Sequence, residues 1–295
     1  MKSNKRTKFG KAVIVGRPNT GKSTLLNAIM NQKVAITSPL PQTTRKNIEV
    51  EYNDERGKIK FTDTPGMMAQ VKDLMSKRIN QEPGKQARLA DVIVMVVDIS
   101  RPKSEEENKS IGLIRKLKCK KILVYNKIDK AIGSKDHLGD YNYLEEEFDK
   151  VIDVSAIKGK NVKGLINLIF ELLPYGKVET EENAKPKPVI SMSSTEFVEE
   201  IIREKCYLFL RDEVPYNTTV KVGEIKDKKK LIYVKATIKT TADKYKKMII
   251  GDKGRKIKEI GYNARKELEL MSQRKIYLEL QVETDKHWQE VEIEK

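Results

Sequence analysis

Residues that staple small folds are scarce in this chain. It has 2 Cys and 2 His in 295 residues. Cys119, Cys206, His137 and His287 lie too far apart for a zinc motif and are too few for a disulfide framework. A reducing compartment, the cytosol, is therefore expected, without zinc. Aromatic residues make up 6% of the sequence, with a single Trp. No apolar run approaches the ~18–20 residues that span a bilayer; the longest, Val92–Val97, is far shorter. The basic start, residues 1–11, leads only into a short apolar run ending at Val15, which makes no secretory h-region. Membrane contact is expected to be peripheral at most, on the cytoplasmic face.

Charge is what the chain has in plenty. Lys plus Arg number 59 against 43 Asp plus Glu, a net +16, and 38% of residues are hydrophobic. That is enough apolar material for cores, and the length suggests about two domains. A basic excess points to a polyanion, which leaves nucleic acid, an anionic membrane surface or a nucleotide.

From residue 11 to about residue 173, β-branched runs (11–15, 59–62, 91–98, 122–125, 151–154) alternate with helical patterns such as 22–30. The runs are nearly continuously apolar, as strands covered on both faces are, so the fold class expected is α/β with a mostly parallel sheet. Residues 176–188, GKVETEENAKPKP, are rich in charge and proline and read as an exposed linker. Beyond it the pattern is helix 194–211, strands 218–225 and 231–239 around a turn-like 226–230, helices 242–250 and 255–271, and strand 276–282. The expected division is a nucleotide-binding domain over 1–175, a linker over 176–190 and an α+β domain over 191–295, ordered αββααβ.

The segment Gly16-Arg17-Pro18-Asn19-Thr20-Gly21-Lys22-Ser23 fits GxxxxGK[ST], follows an apolar strand and opens a helix that begins with Thr24 in its first turn. Its glycines let backbone amides close around a phosphate at a helix N-terminus; Lys22 faces the β/γ oxygens and Ser23 ligates magnesium. Asp63-Thr64-Pro65-Gly66-Met67 follows the run 59–62. An Asp at the end of a strand can hold magnesium through water, and the Gly66 amide can meet the γ-phosphate. Asn126-Lys127-Ile128-Asp129 follows the run 122–125, and its Asp carboxylate accepts from the two donors of guanine that adenine lacks. Asn126 braces that loop and Lys127 covers the base plane. Ser155-Ala156 ends another strand and is expected to offer a backbone amide to the guanine oxygen. Each tag alone is an ordinary turn; four in order at successive strand ends are not.

In the second half, Ile249-Ile250-Gly251-Asp252-Lys253-Gly254-Arg255-Lys256-Ile257-Lys258 is the informative stretch. A GxxG turn between helices lets a phosphodiester backbone approach, with Lys253 and Arg255 supplying charge. Ile249, Ile250, Ile257 and Ile260 are expected to line an apolar groove for unstacked bases. With the αββααβ order this reads as a type II KH domain, suited to single-stranded RNA; a DNA partner is not expected. Trp288 and His287 are read as packing or partly exposed residues rather than base-stacking ones.

The four nucleotide tags, with Pro41-Gln42-Thr43-Thr44-Arg45 between the first two and a KH tail, resemble the Era family of ribosome-assembly GTPases over nearly the whole chain. By that resemblance Thr44 (with Thr43 the alternative) joins Ser23 on magnesium when GTP is bound. The RNA partner is then the 3′ end of 16S rRNA in the small (30S) ribosomal subunit, with catalysis carried by Lys22, Thr44 and Gly66. Met67 stands where Ras-type enzymes carry the Gln that orients water, so slow intrinsic hydrolysis is expected. Asn19 matches the position that in related GTPases helps hold a potassium ion; the alternative is an Asn that caps the loop. Two rival readings remain: a membrane-surface GTPase drawing on the basic excess, and a P-loop ATPase, which residues 126–129 disfavour.

If Asn19 serves potassium, GTP hydrolysis measured in potassium is faster than in sodium, and Asn19→Ala removes the difference. Equal rates in the two salts exclude the cation.

Overall fold

The computed structural model describes residues 7–68, 74–131, 137–176 and 192–294. Two compact units emerge, one of Met1–Thr37 with Thr44–Ser191, the other of Ser38–Thr43 with Met192–Lys295. The expected linker, apart from Gly176, lies outside the described residues.

The first unit is built on one sheet of β1 (Thr7–Val15), β2 (Ile48–Asp54), β3 (Gly57–Asp63), β4 (Val92–Asp98), β5 (Lys120–Asn126), β6 (Lys150–Val154) and β7 (Tyr175–Gly176). The strand order is β2-β3-β1-β4-β5-β6, with β7 paired antiparallel to the start of β1. Pairs along β3-β1-β4-β5-β6 are parallel and β2 is antiparallel on β3, so the α/β reading with a mostly parallel sheet holds. Every residue of β4 is buried; each such apolar side chain contributes about 1.5–3 kcal/mol by leaving water. Helices α1 (Lys22–Met30), α2 (Leu74–Ala87), α3 (Glu105–Arg115) and α4 (Val162–Leu172) connect the strands. A capping box starts α3, where the Ser104 amide donates to Glu107 at 2.9 Å. The sequence reading misses β2, because only Ile48 and Val50 of its seven residues are buried and an edge strand needs no continuous apolar run. With the parallel strands running the same way, their carboxyl ends form one rim, where ligands of such sheets bind.

The second unit contains α5 (Ser194–Phe209), β8 (Thr218–Lys228), β9 (Leu231–Thr240), α6 (Asp243–Ile250), α7 (Arg255–Ser272), β10 (Ile276–Thr284) and α8 (Trp288–Glu294). The sheet order is β10-β9-β8, parallel between β9 and β10 and antiparallel between β8 and β9. The expected αββααβ order is present, extended by α8. Trp288 at the start of α8 is 2% exposed, which makes it a packing residue. The turn expected at 226–230 is tighter: β8 runs to Lys228 and β9 starts at Leu231, a two-residue hairpin. In the same unit the Thr43 carbonyl accepts from Arg203 at 2.5 Å, and that Arg pairs with Glu200. The described helices include none long and apolar enough to cross a membrane.

The isoleucine groove needs correction. Ile249 and Ile260 are fully buried. Ile260, Ala264 and Leu268 form the buried stripe of α7 at four-residue spacing, the periodicity of one helix face. Ile250 and Ile257 are half-buried, and Met248 is exposed beside them. As placed, Ile249 and Ile260 offer no surface to RNA, because the same spacing that puts residues on one helix face directs them into the core. Ile260→Ala should cost about 2–5 kcal/mol in urea unfolding, the usual loss for a buried large-to-small change. Ile257→Ala should cost well under half of that; equal losses would place both residues in the core.

Candidate functional site: a phosphate loop and a GxxG turn

The loop between β1 and α1 has its carbonyl oxygens engaged one after another. Thr20 O accepts from Asn126 Nδ2 at 2.7 Å and Asn19 O from Lys127 Nζ at 2.6 Å. Pro18 O accepts from the Arg101 guanidinium at 3.0 Å. Arg17 O and Gly16 O both accept from Lys22 Nζ, at 2.7 and 3.1 Å. With these five acceptors satisfied, the backbone amides are the groups the loop has left to offer an anion. Gly21 has φ 93°, and a Cβ on it would lie 2.4 Å from Asn126 Nδ2; the close approach of residues 126–129 requires a glycine there. A Cβ on Gly66 would likewise sit 2.4 Å from Pro18 N, so the segment after β3 comes against the loop.

Arg17 is turned elsewhere. Its side chain is buried, pairs with the fully buried Glu107 at 3.1 Å and reaches the Pro102 carbonyl. Of this residue, then, only the backbone belongs with the anion-facing part of the loop. Asn19 has φ 64°, a left-handed conformation that Asn tolerates better than most residues, so the backbone gives a reason for Asn here that is independent of any cation.

Three oxygen ligands converge beside Lys22. Ser23 Oγ donates to Asp63 Oδ2 at 2.6 Å and lies 3.0 Å from Thr44 Oγ1. Two hydroxyls and one carboxylate suit a hard cation such as magnesium. Thr43 is directed away, its hydroxyl bonded to Leu40 O, which favours Thr44 of the two switch threonines. Burial pulls the Lys22 ammonium down to about 8 against the attraction of Asp63, and burial pushes Asp63 up to about 6 against Lys22. Thr64 Oγ1 donates to Ile14 O at 2.8 Å, tying the 63–67 turn to β1, and Pro65 and Met67 are buried.

At the other end of the rim, Ser155 Oγ donates to Asp129 Oδ1 at 2.5 Å. The Ala156 amide donates to Asn126 Oδ1 at 3.0 Å and the Ser155 amide to Lys160 O at 3.2 Å. The sequence expects one of these two amides to meet a guanine oxygen, and both are engaged within the protein; Asn126 holds the 155–156 turn and the phosphate loop together. Ile128 N donates to Val154 O at 3.5 Å. The sequence reading misses Asp98, at the end of β4, and Arg101 three residues on. The one signal available was an Asp closing a strand, as Asp63 does.

In the second unit the GxxG turn is open to solvent. Gly251, Lys253 and Gly254 have φ of 70°, 50° and 76°. Asp252, Lys253, Arg255 and Lys258 are exposed, and Lys256 is half-buried. A Cβ on Gly251 would lie 2.7 Å from that of Lys256. Arg255 pairs with Asp252 and Lys256 with Glu259; such exposed pairs are weak and exchange readily for phosphate.

The charges of Lys22 and Asp63 give a pH window. Below about 6, Asp63 carries a proton that a metal must displace, and above about 8 Lys22 must take one up to meet phosphate. Binding of magnesium nucleotide is therefore tightest between the two, losing up to about tenfold per pH unit on either side. Calorimetry in buffers of different ionisation enthalpy should show proton release on the acid side and uptake on the alkaline side. Absence of uptake in the alkaline limb would show that Lys22 titrates well above the range.

Comparison with known proteins converges on one family. Residues 11–127 match the family model described as 50S ribosome-binding GTPase, and residues 213–289 match the KH domain. GTPase Era of Halothermothrix orenii is 36% identical over 287 residues, covering 97% of this chain and 96% of that protein. GTPase Era of Clostridioides difficile is 36% identical over 293 residues, 97% and 96%. A solved variant of Aquifex aeolicus Era bound to GDP and AlF4− superposes with a TM-score of 0.87 at 33% identity, covering 96% of each chain. A structure of Era with MgGDPNP and nucleotides 1506–1542 of 16S ribosomal RNA gives the same TM-score and identity, covering 96% of this chain and 95% of that one. A strand-end rim carrying a phosphate loop, a KH domain after it, and likeness along almost the full length together place the chain in the Era family of GTPases.

Proposed function

We propose that this GTPase is a switch that binds the single-stranded 3′ region of 16S rRNA through its KH domain and acts in small-subunit assembly in the cytosol. The observation that carries this reading is the exposed GxxG turn, in which Gly251, Lys253 and Gly254 take left-handed φ values, in a chain 33% identical to an Era solved with nucleotides of 16S rRNA. The GTPase family model is described by the 50S subunit; the 16S fragment in the whole-length relative is the closer guide to the RNA.

On this reading the amides of residues 16–23 surround the phosphates, Lys22 meets the β/γ oxygens, and Asn126 to Asp129 face the guanine. Ser23, Thr44 and, through water, Asp63 would hold magnesium, which supplies charge neutralisation at the transferring phosphate. Water attacks the γ-phosphorus and the β–γ bridging oxygen leaves with GDP. The buried Met67 cannot orient that water, so positioning and electrostatics carry the rate. Asn19 would help hold a potassium ion, which would add positive charge beside the phosphates. At the KH turn, Gly251 to Arg255 approach the phosphodiester backbone, with Lys256 and Lys258 adding charge, and Ile250 and Ile257 meet bases.

Coupling of the two activities is supported by the path of the chain. Ser38–Thr43 belongs to the compact unit that contains the KH domain, and the next residue, Thr44, lies against Ser23. Ordering of Thr44 by nucleotide therefore acts on a segment whose preceding residue is held by Arg203. Part of the basic excess is paired within the protein, since Arg115 pairs with Glu147 and Lys120 with Asp149. No observation favours a lipid surface.

RNA ending in the 16S 3′ sequence should bind several-fold more tightly with a non-hydrolysable GTP analogue than with GDP, and Gly251→Asp should abolish binding in both states. Filter binding beside sedimentation with anionic vesicles checks this. Equal RNA affinities would mean tethered, uncoupled domains, and retained RNA binding by Gly251→Asp would remove the KH turn from the interface.

A further inference from the structure

The phosphate loop and the 126–129 loop share a support that lies in neither motif. Asp98 ends β4 and its side chain is 1% exposed. Its Oδ2 lies 2.7 Å from Lys127 Nζ and 2.8 Å from Arg101 Nε. Its Oδ1 accepts from the Ser100 amide at 3.1 Å and the Ser100 hydroxyl at 2.6 Å. Lys127 and Arg101, the two cations on this one carboxylate, are the donors to Asn19 O and Pro18 O.

Each cation has a separate job. Lys127 has φ 66°, so its backbone is held in a left-handed turn while its ammonium reaches back to the phosphate loop. Without an anion beneath it, the ammonium would bring an uncompensated charge against a carbonyl in a largely buried place, and a buried unpaired charge is costly. Burial of Asp98 works against ionisation, but the bonds from Lys127 and Ser100 outweigh it and hold the carboxyl below its ordinary range; the group stays an anion at neutral pH.

We propose that Asp98 is a positioning residue for nucleotide retention: through Lys127 and Arg101 it fixes two consecutive phosphate-loop carbonyls, so that the phosphate loop and the guanine loop act as one clamp. The inference rests on the reading of residues 126–129 as the guanine loop. A charge-assisted bond replaced by a neutral one weakens severalfold to about a hundredfold, and the loss falls mainly on dissociation.

The test is a double-mutant cycle on the full chain, read as release of a fluorescent GDP analogue in stopped flow, with thermal unfolding measured on every variant. Asp98→Asn keeps the shape and removes the charge, and Lys127→Met keeps the stem and removes the ammonium. Each single change should speed release roughly tenfold or more, with the double variant within about threefold of the faster single one, as expected for two residues acting through one interaction. Arg101→Ala should speed release less than Asp98→Asn, because its guanidinium is partly solvated, 38% exposed. Multiplying effects in the double variant, or unchanged release in Asp98→Asn, would overturn the proposal; so would faster release explained by a matching loss of thermal stability in Asp98→Asn. Failure of the guanine reading is separate: Asp129→Asn would then leave the preference for GDP over ADP unchanged.

Discussion

The nucleotide-binding half of this protein depends on the outward engagement of its phosphate-loop carbonyls. An anion can be bound by backbone amides only if the carbonyls of the same residues have other donors, because each peptide carries both groups. Here five consecutive carbonyls, Gly16 to Thr20, receive bonds from Lys22, Arg101, Lys127 and Asn126. Three of these donors arise at the ends of β4 and β5, so the parallel pairing of β1, β4 and β5 is what brings them within reach. The sheet is the device that turns a glycine-rich turn into an anion site.

The GxxG turn reaches its ligand by another route. It uses left-handed φ at Gly251, Lys253 and Gly254 to expose backbone, with exposed cations around it and no buried ion pair to order it. One site is preorganised by a network of donors anchored at the strand ends; the other is a solvated turn on a firm hydrophobic support provided by Ile249, Ile260, Ala264 and Leu268. The difference suits the ligands, a small nucleotide enclosed by the protein and a strand of RNA laid on its surface.

Charge illustrates how far composition reaches. The formal excess is +13 over residues 1–178 and +3 over 179–295, but folding pairs much of it. Lys11 meets Glu49, Lys58 meets Glu51 and Lys60 meets Glu49 on the β2–β3 edge. Within residues 244–275 the balance is +7, and there Lys253 and Lys258 stay exposed. Net charge tells of a polyanionic partner; which cations face it depends on their neighbours.

The sequence by itself determined the parallel strands β1 and β3 to β6, the phosphate loop and the three later strand-end tags, because local patterns of apolar residues and glycines act over a few residues and survive in one dimension; the edge strand β2 and the added α8 left no such pattern. It also determined the GxxG turn and the helices on either side. The tertiary structure alone decided which oxygen ligands meet, that Thr44 rather than Thr43 faces Ser23, and that Ile249 and Ile260 belong to the core. It decided as well that Arg17 turns to Glu107 and that the Ala156 amide turns to Asn126. These pairs lie tens of residues apart, and so does the link from Asp98 to Lys127. Their meeting is a consequence of sheet pairing and helix burial, long-range terms for which no local spacing carries a record.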